Sequence, residues 1–252
     1  MGGILQTFLG LQGQVGSPIL PATLPNLTLW YNTDQNIVSK VTLNVSNEVT
    51  QLKDLSNFGH PANSRNAKYP DYVTNVLNGL NGIEFTASNQ DNLDINPISW
   101  AVGLSGFSLY VVAKPTSFVS SFPLVNTNLG LGIQWNGTNW QIGGAGGVST
   151  ANSVVNNTNN AHIYGFIFDG AQTGDANRIK FRYDRTPQTL TFTSSPSTIT
   201  ASASTMYFCG NNRNAPTSFM DGYLFEVLIW TRSLSNNEIT GVENYIKSHW
   251  GI

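Results

Sequence analysis

A chain of 252 residues that is 40% hydrophobic and only 10% charged has ample material for one large core and leaves a nearly neutral surface. A formal net charge of −2 and a pI near 5.8 supply no field that would draw nucleic-acid phosphates or an anionic membrane, so neither is expected as a partner. The single cysteine, Cys209, closes no internal disulfide, and no apolar run approaches the ~18 residues that cross a bilayer.

Residues 1–33 hold no Asp, Glu, Lys or Arg. Ile4, Phe8 and Leu11, with Leu5 and Leu9 beside them, have the spacing of one short helix that Gly13 and Gly16 would end. Pro18, Pro21 and Pro25 then favour extended backbone. Residues 1–25 are therefore expected to form an arm, whose five large apolar side chains order most easily against another subunit. The start of the chain lacks the basic flank and sustained apolar stretch of a secretory signal, so synthesis in a cytosol is expected.

Beyond residue 26 the hydrophobic period is two, which predicts strands with one buried face in a single domain over 26–252. Phe107, Leu109, Val111 and Ala113 alternate with Ser108, Tyr110 and Val112 up to Lys114 and Pro115, a central strand. Leu129, Leu131, Ile133 and Trp135 share a face before Asn136 and Gly137, whose turn chemistry predicts a hairpin returning through Trp140 and Ile142. Further alternating runs are Tyr164, Phe166, Phe168; Ile179, Phe181, Tyr183 with Lys180 and Arg182 outward; Leu190, Phe192; Met206, Phe208; and Tyr223, Phe225, Val227, Ile229. Stretches 143–160 and 193–204, rich in Gly, Ser, Thr and Asn, are predicted as loops. Ser235 and Glu238 have capping-box spacing, and Ile239, Val242 and Ile246 lie on one face of the helix that follows. That helix is expected to pack on the sandwich edge and to end at Gly251.

Three segments carry a resemblance. The first joins residues 27–31 to Gln51-Leu52-Lys53-Asp54-Leu55-Ser56-Asn57. The second is Pro70-Asp71-Tyr72-Val73 with Leu77-Asn78-Gly79-Leu80-Asn81-Gly82-Ile83-Glu84-Phe85 and Asp91-Asn92-Leu93-Asp94. The third runs over 219–238 and closes on Tyr245-Ile246-Lys247-Ser248-His249-Trp250-Gly251-Ile252. Together they resemble the concanavalin A-like, laminin-G-like jelly-roll family in its bacterial and phage surface-protein version. Leu52 stands where that family often has Trp, and Phe58-Gly59-His60 replaces its Gly-Asn-His turn. The resemblance implies an all-β, two-sheet antiparallel jelly-roll sandwich with an extended N-terminal arm and a short C-terminal helix. Its members include lectins, adhesion modules, virion proteins and some glycosidases, among which the fold does not choose.

The glycosidases of this fold carry paired acids on one strand, and hydrolysis needs two carboxylates roughly 5 to 9.5 Å apart. Here Glu226 sits alone between Phe225 and Val227, and Glu84 and Asp94 are distant in sequence, so solvated or structural roles and no enzymatic activity are expected. His60, His162 and His249 lack zinc-ligand spacing. Calcium is the one cofactor with local candidates, Asp91, Asn92 and Asp94, although acids and amides also occur in turns for backbone reasons. A glycan would be sought at Trp135, Asn139 and Trp140 around the hairpin turn and at Asn212 and Arg213 in an amide-rich loop. Hairpin tryptophans, however, also pack across strands.

Two functional expectations follow. One is a non-enzymatic structural protein of a virion or particle surface, a capsid decoration protein or tail-fibre component. It would be made in a host cytoplasm, anchored to capsid or tail subunits through Ile4, Leu5, Phe8, Leu9 and Leu11, and assembled as a homo-oligomer. The other is a carbohydrate-binding, lectin-like adhesion module that meets cell-surface glycans.

Overall fold

The computed structural model describes residues 17–34, 41–118, 120–127, 131–144, 147–151, 160–193, 197–199, 205–210 and 218–252. In chain order the described strands begin with β1 (Leu27–Asn32), β2 (Val41–Leu43), β3 (Val49–Leu52), β4 (Ala62–Ser64), β5 (Asp71–Leu77), β6 (Leu80–Phe85) and β7 (Leu93–Ile95). The middle of the chain gives β8 (Gly106–Pro115), β9 (Phe122–Thr127), β10 (Gly132–Trp135), β11 (Trp140–Gly144), β12 (Gly147–Ala151) and β13 (His162–Asp169). A one-turn helix α1 (Asp175–Arg178) leads into β14 (Ile179–Tyr183), β15 (Thr186–Gln188), β16 (Leu190–Phe192), β17 (Met206–Phe208) and β18 (Gly222–Trp230), and α2 (Asn236–Trp250) follows.

Two antiparallel sheets form a sandwich. The first runs β15-β14-β13-β8-β18-β6-β5, with β1 on the same edge of β18 as β6; the second runs β16-β12-β11-β10-β9-β17-β7-β4-β3-β2. The facing side chains make one core that includes Phe107, Leu109 and Val111 of β8, Phe166 of β13, Leu124 of β9 and Phe208 of β17, as period-two alternation requires. β8 is central and buried on both faces, because its other row, Tyr110 and Val112, lies under α2.

The capping box is present: Ser235 accepts from the Glu238 N–H, the Glu238 carboxylate takes the Ser235 N–H at 2.8 Å, and Gly251 ends α2 in the left-handed region at φ +69°. The helix lies over the outer face of the first sheet, where Ile239, Val242, Ile246 and Trp250 meet Tyr110, Val112, Phe225 and Leu228. It is thus a third layer and does not pack on the edge. Each such buried aliphatic side chain contributes about 1.5–3 kcal/mol. Arg182 points outward as expected, and there it reaches Glu243 of α2 at 2.5 Å through Nε and 2.9 Å through Nη2.

Two strand expectations shift. Residues 147–151, within the stretch 143–160 expected as a loop for its lack of apolar alternation, pair with β11 and β16. In β18 the alternation slips at a bulge between Leu224 and Glu226, which leaves Leu224, Val227 and Ile229 in the sandwich core and sends Phe225 to the helix side.

The Ile19 N–H donates to the Gly241 carbonyl at 2.9 Å, and a Cβ on Gly241 would lie 2.3 Å from Ile19. Pro21 is buried and Leu24 packs with the helix layer. Residues 19–24 therefore strap onto α2 of their own molecule. Ile4, Leu5, Phe8, Leu9 and Leu11 lie outside the described residues.

Candidate functional site

The outward face of the second sheet carries no helix among the described residues, and its residues line up across the strands. Register pairs Thr42 with Gln51, Gln51 with Asn63, Asn63 with Asp94, Asp94 with Tyr207 and Tyr207 with Asn126. Gln134 pairs in turn with Gln141. Directly opposed residues share a face, so this is one polar row.

Within it the amides are chained. Asn126 Nδ2 donates to Gln134 Oε1 at 3.0 Å and Gln134 Nε2 donates to Gln141 Oε1 at 2.7 Å. Gly132 faces Asn126 at φ +148°, and a Cβ there would stand 1.9 Å from the Val125 carbonyl oxygen. A side chain at 132 would therefore collide with the backbone of β9. Among the described residues, Asn126 Oδ1 at one end of the chain and Gln141 Nε2 at the other have no protein partner. The row therefore holds at fixed positions a donor on half-buried Gln141 and an acceptor on Asn126, a residue only 8% exposed.

Beside Gln134 a groove of about 250 Å³ is lined by Ser121, Pro123, Asn136 and Ser218 together with Phe122 and Trp135. None of its lining residues is charged, and apart from the Trp135 indole, which donates to the Phe118 carbonyl, its polar side chains are hydroxyls and amides. The hairpin turn below it is tightly built, with Asn136 Oδ1 accepting from the N–H groups of Thr138 and Asn139 at 2.9 and 2.7 Å and Gly137 at φ +95°.

The sequence-expected glycan residues separate. Trp135 and Trp140 are 2% and 1% exposed, packed on each other with centroids 5.6 Å apart and, for Trp140, on Tyr164 at 4.7 Å. As placed, neither ring offers a face to a sugar; both are core, and only Trp135 borders the groove. Asn139 is half-buried in the turn. Asn212 and Arg213 lie outside the described residues.

An exposed aromatic does exist elsewhere. Phe58 is 58% exposed, stacked on His60 at 6.3 Å, which stacks on Trp100 at 5.6 Å. Asp54 holds its loop by accepting from the N–H groups of Trp30, Ser56 and His60, each at 2.9 Å. Sequence reading missed both this stack and the amide row. The loop signal was present in Asp54 and Ser56, but which ring stays wet depends on tertiary packing.

The calcium candidates do not converge. Asp94 lies on β7 against the Arg65 guanidinium at 2.7 Å, Asp91 accepts from the Thr86 N–H at 2.8 Å, and Asn92 donates to the Gln90 carbonyl at 2.9 Å. Among the described residues no three His, Cys, Asp or Glu side chains gather as a metal site. Burial pushes the Cys209 thiol well up, which makes it a core group.

Glu226, for which a solvated or a structural role was expected, is 1% exposed and structural. Its Oε1 accepts from Trp30 Nε1 at 2.8 Å, Asn32 Nδ2 at 3.1 Å and the Tyr245 hydroxyl at 3.1 Å, and its Oε2 from Trp250 Nε1 at 2.7 Å. Asp34 and His249 pair next to it at 3.1 Å. Burial raises the Glu226 carboxyl, opposed by His249 and by these donors. Glu226 and Asp34 line neither this groove nor the larger one described below.

Neither a protein-family model nor a curated protein matches the sequence. Solved structures do. Domain 4 of AbnA, a GH43 extracellular arabinanase from Geobacillus stearothermophilus solved with arabinotriose, aligns at TM-score 0.61 and 13% identity over 86% of this chain and 98% of its own. The binding domain of Paraclostridial Mosquitocidal Protein 1 aligns at 0.60 and 12%, over 88% of this chain and 52% of its own. Trypanosoma rangeli sialidase with the inhibitor DANA aligns at 0.58 and 15%, over 95% of this chain but only 37% of its own. The likeness is one of fold. This chain therefore spans well under half of the sialidase, and the jelly-roll sandwich expected from sequence is the architecture observed.

Proposed function

We propose that the chain is a non-catalytic carbohydrate-binding module that holds a neutral oligosaccharide on the outward face of its second sheet. The observation that carries this reading is the amide chain Asn126, Gln134, Gln141 beside an uncharged groove of about 250 Å³. Sugar hydroxyls donate and accept at once, and a row that ends in one free acceptor and one free donor matches them without desolvating a charge. The arabinotriose complex of a domain covered almost completely by the alignment supports the ligand class. The only fully buried glutamate on β18 is saturated with donors away from either groove, which supports binding without hydrolysis.

Glycan-array screening followed by calorimetry tests the reading. Neutral oligosaccharides are expected to bind, with affinity falling about tenfold in Gln134→Ala, the loss of roughly 1.4 kcal/mol. Silence across the array, or undiminished binding by Gln134→Ala and Gln141→Ala alike, removes this face as the site.

A further inference from the structure

On the opposite side of the molecule, at the end of α2, a groove of about 640 Å³ runs between the β5–β6 hairpin, the ends of β8 and β13, and the β14–β15 turn. One wall is apolar, built from Val76, Leu77, Ala161 and Ile163. The rest of the rim gathers Lys114, Arg185 and Lys247. In a chain with only 12 lysines and arginines, three around one groove is a concentration of charge that the net charge of −2 does not foreshadow.

None of the three has a carboxylate partner among the described residues. Arg185 donates through Nη2 to Asn244 Oδ1 at 2.7 Å, and its buried Nε has no partner. The one acidic side chain in the lining, Asp184, is committed elsewhere: Oδ1 accepts from the Ile163 N–H at 3.0 Å and Oδ2 meets His162 Nδ1 at 2.7 Å. The other ring nitrogen of His162, a residue only 6% exposed, is buried without a partner. The carbonyls at the end of α2 are quenched too, since Asn78 Nδ2 donates to the Trp250 carbonyl at 2.6 Å and the Gly251 carbonyl at 3.1 Å. Asp184 is thus held by Ile163 and His162, and among the described residues no carboxylate is ion-paired with the three cations.

We infer that this groove binds an anionic saccharide, its carboxylate or sulfate between Lys114, Arg185 and Lys247 and its C–H face on the apolar wall. The assignment rests on the carbohydrate-binding reading above but uses a second site on the other side of the sandwich. Three cations around a groove with one apolar wall suit a ligand that is both charged and faced with C–H groups, whereas a bare inorganic ion would leave the wall unused.

Calorimetry on the full chain tests it with an oligogalacturonate trimer and a sulfated heparin disaccharide as acidic probes, a neutral trisaccharide, and inorganic sulfate. At least one acidic probe is expected to bind, about tenfold more weakly in Lys114→Ala and in Lys247→Ala. Its affinity should also drop between about 50 and about 300 mM NaCl. Gln134→Ala should leave that binding unchanged, which separates the two sites. Acidic probes that bind only through Gln134, or that bind no better than inorganic sulfate, overturn the inference and leave the neutral site standing. Silence of the acidic probes with neutral binding intact does the same, and silence of all saccharides ends both readings. Thermal melts of each variant certify the fold.

Discussion

The indole N–H of Trp250 donates to Oε2 of Glu226 at 2.7 Å, and so the last turn of α2 is tied to the middle of β18. Trp30 of β1 and Tyr245 of α2 meet the same carboxylate, which makes Glu226 a clamp between sheet and helix. Glutamine in its place has one oxygen and one N–H₂ group, and the latter would confront a donor. Glu226→Gln is expected to cost about 1–3 kcal/mol and Glu226→Ala more, read from urea unfolding. A loss below about 0.5 kcal/mol in both would show that the clamp carries no stability.

Trp140→Ala separates core from binding surface. Because the ring is 1% exposed and packs on Trp135, Tyr164 and Phe122, its removal is expected to destabilise by about 3–5 kcal/mol. Near-wild-type stability combined with lost glycan binding would place the ring at a ligand instead.

Asp91 gives the fold a pH signature. Burial, reinforced by Asp71 and Glu48, lifts its carboxyl to about 6 although the Thr86 N–H pulls it down. With the folded value above the unfolded value of about 3.9, the native state binds the proton more tightly, so this contribution is complete below about pH 4 and is lost as pH rises through about 6. Asp91→Asn keeps an acceptor for Thr86 and removes the charge. Its urea midpoint is expected to exceed that of the wild type at pH 7.5, with the gap closing toward pH 4; an equal gap at both pH values contradicts the assignment.

Ser235→Ala removes one half of the capping box. A loss of about 1 kcal/mol is expected, together with faster amide exchange in the first turn of α2. Unchanged exchange there would mean that the Arg232 and Glu238 pair, at 2.7 Å, holds the turn alone.

Leaving out residues 1–16 tests the particle-assembly expectation independently of any sugar. Since Ile19 already engages Gly241, the shortened chain should keep its melting temperature within a few degrees. If it also keeps the oligomeric state of the full chain in sedimentation, the apolar arm is not the assembly device.

The sandwich was legible because alternation writes itself into sequence: Phe107, Leu109 and Val111 announced β8, and Ser235 with Glu238 announced α2. The slip at Phe225 was not, since a bulge adds one residue without changing composition, and it carries Glu226 to the helix side. Period alone also cannot say which of two faces a third layer covers, which is why Arg182 was legible as outward but its partner Glu243 was not. The candidate site was less legible. Tryptophan draws attention as a sugar platform, but the size that makes Trp135 and Trp140 attractive for stacking also makes them favourable to bury. Asn126, Gln134 and Gln141 are scattered over sixteen positions and become one row only through strand register.

β18 pairs with β1, β6 and β8, strands whose first residues are Leu27, Leu80 and Gly106. During synthesis these three would emerge from the ribosome long before the strand that joins them, and the backbone N–H and C=O groups on the edges that face β18 would wait unpaired. Closure is therefore a late, long-range event of the kind that slows folding. A nascent chain halted before residue 222 would be a substrate for chaperones.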